Sequence, residues 1–179
     1  MTGEQARSFT VRAPGLLGVL LTDCHICTAF DHRAPPAVIP AFLPFHGIWD
    51  TGATMSAITQ DVVSQCGLKP IGMTKVHGVA GITDTELYLV NLRLPQGVAF
   101  SNVTVTRAIL SPGAHVLIGM DVISGGDFSI TSNGGKTIFS FRVPSLHQTD
   151  FVAEDHRRMK VPKTFGGMSG GNVKGRRHK

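Results

Sequence analysis

The stretch Phe45-His46-Gly47-Ile48-Trp49 is extended and largely apolar, and it runs directly into Asp50-Thr51-Gly52-Ala53. A strand of this kind heads for an interior. An acid at its end must be hydrogen-bonded, paired or chemically used, because an isolated buried charge is expensive. Thr51 offers a hydroxyl to a network, and Gly52 lets another backbone approach closely. The same residues would also make a plain Asx-turn that only closes a strand. The rest of the chain has to decide between a turn and a site.

With 179 residues the chain is long enough for one domain with a substantial core and short for two. It is rich in glycine and β-branched residues and poor in helical patterning, which predicts β structure with many turns. Its three cysteines, Cys24, Cys27 and Cys66, are too few and odd in number for a disulfide scaffold. They fit a reducing compartment and a cytoplasmic location. The apolar run Leu16–Leu21 follows Arg7 and Arg12, as in a signal peptide, but is too short to span a membrane. The residues after it, Thr22-Asp23-Cys24-His25, provide no small-residue cleavage site. A core strand is the expectation, with no membrane partner.

Charge is unevenly spread. Between Phe151 and Lys179 eight basic residues stand against Glu154 and Asp155, a surplus of six, whereas the whole chain carries +5. The remainder is therefore near −1. Residues 1–14 are expected to form an N-terminal extension, with a strand at Phe9-Thr10-Val11 at most. Residues 15–145 are expected to form the folded domain, and 146–179 a flexible basic tail with paired glycines that cannot bury enough surface to fold alone.

Within the folded part, Gly15–Thr28 reads as a strand, Asp31–Pro36 as a loop, and Val38–Phe45 as extended chain broken by prolines. After the Asp50 turn, a short strand and a helical turn are expected up to Gly67. Gly72–Leu94 is a hairpin candidate whose turn, Gly78-Val79-Ala80-Gly81, has glycine at both ends. Val103–Thr106 alternates like a strand. Val116-Leu117-Ile118 is a continuous apolar triplet ended by Gly119, the pattern of a strand buried on both faces, and Met120–Ile123 has helical spacing. A last hairpin turns at Asn133-Gly134 and is closed by Pro144.

Three features thus stand in order: an apolar strand ending in Asp50-Thr51-Gly52-Ala53, a glycine-tipped hairpin, and Leu117-Ile118-Gly119 leading into a short helix. This arrangement, over about Leu16 to Ser145, resembles the retropepsin-like aspartic proteases, of a cellular or phage-type branch. The resemblance implies an all-β, closed barrel of six or seven strands with a flap hairpin and one short helix. It implies an aspartic endopeptidase that acts on polypeptides as a homodimer, with Asp50 catalytic and no cofactor or metal. Thr51, Gly52 and Ala53 would support the site. Thr51 would bond across the dimer axis, and Gly52 would give its N–H to the carboxylates. His77, Gly78, Val79, Ala80, Gly81 and Ile82 would form the flap over the substrate, and Leu117, Ile118 and Gly119 would frame the site. Side-chain pockets are expected from Ile48, Val79, Ile82 and the region of Ile109-Leu110.

The chemistry requires the dimer. Two carboxyls side by side cannot both ionise, so one holds a proton while the other serves as base. Asp31, Asp84, Asp121 and Asp127 lack both the preceding apolar strand and the following Thr-Gly, so the second carboxyl must come from a second copy. The chain departs from many retroviral members in two places. Thr54, Met55 and Ser56 stand where acids follow the turn, and Met120 stands where an arginine pairs with them; the ion pair is missing at both ends. Trp49 is also bulkier than the usual residue before the catalytic acid.

Two other signals compete. Cys24-His25-Ile26-Cys27 has the spacing of half a zinc site, but Cys66, His32 and His46 supply no matching second half, so packed core cysteines are expected. The basic tail could contact nucleic acid weakly through phosphates, although Phe151 and Phe165 are its only aromatics for stacking. An alternative reading therefore keeps the fold without the chemistry, as a dimerisation or peptide-binding module whose tail contacts nucleic acid.

Overall fold

The computed structural model describes residues 5–31, 33–78 and 81–160. The chain divides into two compact units, Met1–Leu146 and His147–Lys179.

The first unit is built from β1 (Arg7–Arg12), β2 (Leu21–Thr28), β3 (Leu43–Trp49), β4 (Ala57–Ile58), α1 (Gln60–Gln65), β5 (Gly72–Gly78), β6 (Gly81–Arg93), β7 (Ala99–Arg107), β8 (Val116–Ile118), α2 (Met120–Ile123), β9 (Asp127–Thr131) and β10 (Ile138–Val143). Seven strands hydrogen-bond in the order β2-β3-β8-β4-β7-β6-β5, and a further β2–β6 pairing joins the sheet back on itself. Six strands therefore form a closed ring, and the long β5–β6 hairpin projects β5 beyond it. The expected all-β closed barrel with a flap hairpin is present. It has two short helices, α1 and α2, where one was expected.

The ring's interior is filled from both sides of the chain. Ile26, Ile58, Val90, Val105, Val116 and Ile118 are all buried. Burial of such side chains drives the closure at roughly 1.5–3 kcal/mol each before entropy is counted. α1 ends where Gly67 takes φ +60, a left-handed conformation that a β-carbon would resist.

A second sheet, ordered β1-β10-β9, packs its aromatic face against the ring. Phe9, Phe128, Phe139 and Phe141 alternate inward along these strands. Ser8, Thr10, Ser129 and Ser140 occupy the other face, and Thr10 and Ser140 share a hydroxyl hydrogen bond of 2.8 Å. β1 thus buries Phe9 within the stretch read as a leading extension.

Three local expectations are corrected. The Leu16–Leu21 run is not a core strand: β2 starts only at Leu21, and Leu16, Leu17 and Val19 are exposed. The glycines at 15 and 18 and Pro14 interrupt any ladder there. Val38 and Ile39 are likewise exposed rather than extended into β3, because Pro40 precedes the strand. In the second unit, α3 (Phe151–Lys160) is helical where a flexible tail was expected. Its start is set by Asp150, whose carboxylate accepts the Ala153 N–H at 2.9 Å, an N-cap followed by one acid, Glu154, in the first turn. Lys163, Lys174, Arg176, Arg177 and Lys179, which carry most of the tail's charge, lie outside the described residues.

Candidate active site

The central element is a parallel pairing of β3 with β8, in which Trp49 lies opposite Ile118. It positions the residue that follows β3: the Asp50 N–H donates to the Ile118 carbonyl at 3.0 Å. The chain then turns at once. The Gly52 N–H donates to Asp50 Oδ1 at 2.8 Å, and the Ala53 N–H to the Asp50 carbonyl at 3.3 Å. The Asx-turn considered for this stretch is therefore real, and it fixes the carboxylate of Asp50 at the rim of the ring. Asp50 is half-buried, while Thr51 and Gly52 are exposed.

Gly119 closes the frame from the other side. A β-carbon there would lie 2.7 Å from the Met55 carbonyl carbon and 3.0 Å from the Ala53 oxygen. Glycine is needed for close approach, since its φ of −94 suits any residue. That approach lets the Met120 N–H donate to the Ala53 carbonyl at 2.8 Å. Ile118 and Gly119 thus meet the Asp50–Ala53 turn directly, whereas Leu117 pairs with Ile48 and Ala57.

The missing ion pair has a replacement that sequence reasoning passed over. The Asp121 carboxylate accepts the Ser56 N–H at 3.0 Å and the Ser56 hydroxyl at 2.8 Å. Ser56 Oγ in turn accepts the Gly119 N–H at 3.0 Å. Asp121 also takes the Val122 N–H at 3.1 Å. Three backbone donors on two elements are thereby tied to one serine and one acid. The available signal was an acid two residues after Gly119, at the start of a helix, opposite a serine in place of an acid.

Trp49 is accommodated by aromatic packing. Its ring centroid lies 4.9 Å from that of Phe141, 5.0 Å from Phe139 and 5.7 Å from Phe128. Its indole N–H donates to Thr22 Oγ1 at 2.9 Å, which satisfies the one polar atom of a buried side chain.

Asp50 and Thr51 line a cleft of about 400 Å³ with Leu17, Gly18, Val19, Leu20, Ile48, Trp49, Phe128 and Ile130. Of the residues expected to form pockets, Ile48 is in this cleft. Ile82, Ile109 and Leu110 are not, and Ile109 is fully exposed. In the hairpin, His77 pairs with Ile82 and Gly78 with Gly81, whose φ is +112. Val79 and Ala80, at its tip, lie outside the described residues. The described flap residues do not line the Asp50 cleft.

The cysteines pack as expected. Cys24 and Cys27 are buried although they alternate to opposite faces of β2: Leu21, Asp23 and His25 on the Cys27 face are exposed, and that face is covered only at Cys27, near Cys66. Burial pushes the Cys24 thiol up to about 12, with the Asp23 charge adding to it. Burial, with Cys27 nearby, raises Cys66 to about 11. Such thiols are poor metal ligands and poor nucleophiles. His32, weighed as a ligand, lies outside the described residues.

Residues 43–122 match the family model described as aspartyl protease. That span runs from β3 through the Asp50 turn, the flap hairpin and Gly119 to α2, and it carries the resemblance to the retropepsin-like aspartic proteases. Among solved structures, the chain is similar to a retropepsin-like aspartic protease from Rickettsia conorii, with 11% identity, a TM-score of 0.46, and coverage of 80% of this chain and 99% of that one. It is also similar to the Simian Foamy Virus (mac) protease, with 14% identity, a TM-score of 0.37, and coverage of 58% and 91%. No curated protein matches the chain. Among the described residues, no helix is long and apolar enough to cross a membrane.

Proposed function

We propose that the protein is an aspartic endopeptidase whose working unit is a homodimer, with Asp50 of each copy facing the other across a two-fold axis. The observation that carries this reading is the position of Asp50. It stands at the end of a strand with one buried face, held by the Gly52 N–H, in the lining of a cleft, within the segment that matches aspartyl proteases. One such carboxylate per chain is half of what the reaction needs.

In the dimer the two carboxyls share one proton, which belongs to the pair. Water attacks the scissile carbonyl carbon while the ionised Asp50 takes its proton. The protonated Asp50 gives its proton to the carbonyl oxygen. As the tetrahedral diol collapses and the C–N bond breaks, the Asp50 that took the water's proton gives it to the departing amine and the other Asp50 takes a proton from a diol hydroxyl, so the pair again holds one proton. Gly52 orients the carboxylate, and in this reading Thr51 bonds across the axis. The β5–β6 hairpin acts as the lid that excludes water and meets the extended substrate backbone.

The test is cleavage of a peptide library by wild type and by Asp50→Asn, read by mass spectrometry. Loss of all cleavage in a variant with an unchanged circular dichroism spectrum supports the mechanism, and retained activity overturns it. Specific activity should also fall on dilution as dimers dissociate.

A further inference from the structure

We infer that Arg7 and Arg93, which line one cavity between β1, the end of β6 and the start of β7, form a binding site for a carboxylate carried on an apolar body, either a small organic acid or the C-terminus of a peptide. The inference goes beyond the paired-acid reading and does not depend on it, since no residue lines both this cavity and the Asp50 cleft.

The cavity measures about 630 Å³, against about 400 Å³ for the cleft at Asp50. Sites for small ligands commonly run from roughly 300 to 1,000 Å³, with apolar walls and a few placed polar groups. Here Phe42, Leu92, Val98, Phe100 and Val143 supply apolar wall, and no acid is part of the lining. The only charged side chains in it are the two arginines.

Both arginines are held in place, yet neither has a counter-ion. Arg7 Nη1 donates to the carbonyl of Gly97, in the turn Pro95–Gly97, at 3.0 Å. The guanidinium lies against that glycine so closely that a β-carbon there would stand 2.5 Å from Nη1. Arg93 is fixed by a ring instead: its guanidinium carbon lies 3.6 Å from the centroid of Phe42. Arg107 and Arg142 pair with Glu86 and Asp127, whereas among the described residues Arg7 and Arg93 pair with no acid. Across the ladders Arg93 faces His25 on β2 and Ala99 on β7, and neither is an acid.

Asn91 adds a neutral donor to the same lining. It is 1% exposed, its Oδ1 accepts the Asn102 N–H at 2.9 Å, and one amide hydrogen goes to the Phe30 carbonyl at 3.5 Å. The second amide hydrogen has no acceptor among the described residues. Guanidinium groups match the planar pair of oxygens of a carboxylate, and the surrounding apolar wall favours an occupant whose charge sits at the end of a hydrocarbon body.

The test uses the full chain. Octanoate is titrated by calorimetry into wild type and Asp50→Asn, beside octanamide, which keeps the hydrocarbon and drops the charge, and inorganic phosphate, which does the reverse. Octanoate should bind both proteins alike, and about tenfold or more tightly than either control. Arg93 carries the mutational test because it is exposed, whereas Arg7 also anchors a turn. Arg93→Gln should lose about tenfold or more in octanoate affinity with an unchanged circular dichroism spectrum. Ala99→Glu supplies a built-in carboxylate directly opposite Arg93 and should block octanoate as well. The tripeptide N-acetyl-Ala-Leu-Phe, as free acid and as amide, separates the two sources. A free acid that binds more tightly than octanoate assigns the site to peptide C-termini, and a weaker one assigns it to small acids. Absence of octanoate binding, equal binding of octanamide or phosphate, or full affinity in a folded Arg93→Gln overturns the site. Binding lost in Asp50→Asn alone puts the ligand in the other cleft and overturns it too. None of these outcomes touches the paired-acid reading, which stands or falls on peptide cleavage.

Discussion

Ser56 Oγ donates to Asp121 at 2.8 Å and accepts from the Gly119 N–H at 3.0 Å, so one buried hydroxyl ties the strand after the acid turn to the start of α2. Ser56→Ala leaves the Gly119 N–H and part of the Asp121 carboxylate without their partner. The expected cost is about 1–3 kcal/mol in unfolding free energy, read from urea denaturation. Peptide cleavage should fall further than the folded fraction does, because Gly119 frames Asp50.

Gly119→Ala tests close approach. The added methyl meets backbone atoms of Met55 and Ala53 that cannot swing aside as a side chain would. A loss of about 1–3 kcal/mol is expected from overpacking, together with lost cleavage. A stable, fully active Gly119→Ala variant would show that the Asp50 turn tolerates displacement.

Trp49→Phe keeps an aromatic ring among Phe128, Phe139 and Phe141 but removes the indole N–H. Thr22 is then left buried without its donor. A loss of about 1–3 kcal/mol is expected in thermal or urea unfolding followed by circular dichroism. The companion Trp49→Phe, Thr22→Val should recover part of it, since removing both partners avoids the unpaired group.

The thiols set an alkaline limit. In the folded state Cys24 keeps its proton to about 12 and Cys66 to about 11, whereas the ordinary value is 9.0. Between those values the unfolded chain binds fewer protons than the folded one, so stability falls as pH rises from about 9 toward about 12. The contribution is fully present below 9. Tyr88, raised first by burial and then by its hydrogen bond to Glu86, acts with the same sign from its ordinary 10.0 upward. Urea midpoints at about pH 7.5 and about pH 10 should differ, and Cys24→Ala should reduce the difference.

The parts of this fold that could be read from sequence are those where chemistry is local. The β5–β6 hairpin announces itself by its glycines, and β8 by three apolar residues before Gly119. The Asp50 turn follows from the strand that feeds it. What failed was the inference from apolarity to burial. Leu16, Leu17 and Val19 read as core because periodicity reports only that a residue avoids water, not which surface covers it. Asp121 was passed over because the search for a second acid looked for a copy of Asp50, while its partner Ser56 is far away in sequence. α3 was missed because the glycines and scattered charges beyond it dominate the tail's composition, while its signal, Asp150 ahead of a helical run, is a single residue.

The insertion of β8 between β3 and β4 has a consequence for synthesis. A nascent chain emerges from the ribosome with Asp50 long before Val116–Ile118 exists, and until then β3 lacks the neighbour that receives the Asp50 N–H. The ring is assembled from pairings distant in sequence, so its closure waits on loop-closure entropy and on the arrival of β8. A growing chain therefore carries Asp50 in an unformed turn until Val116–Ile118 has been made and can pair with β3.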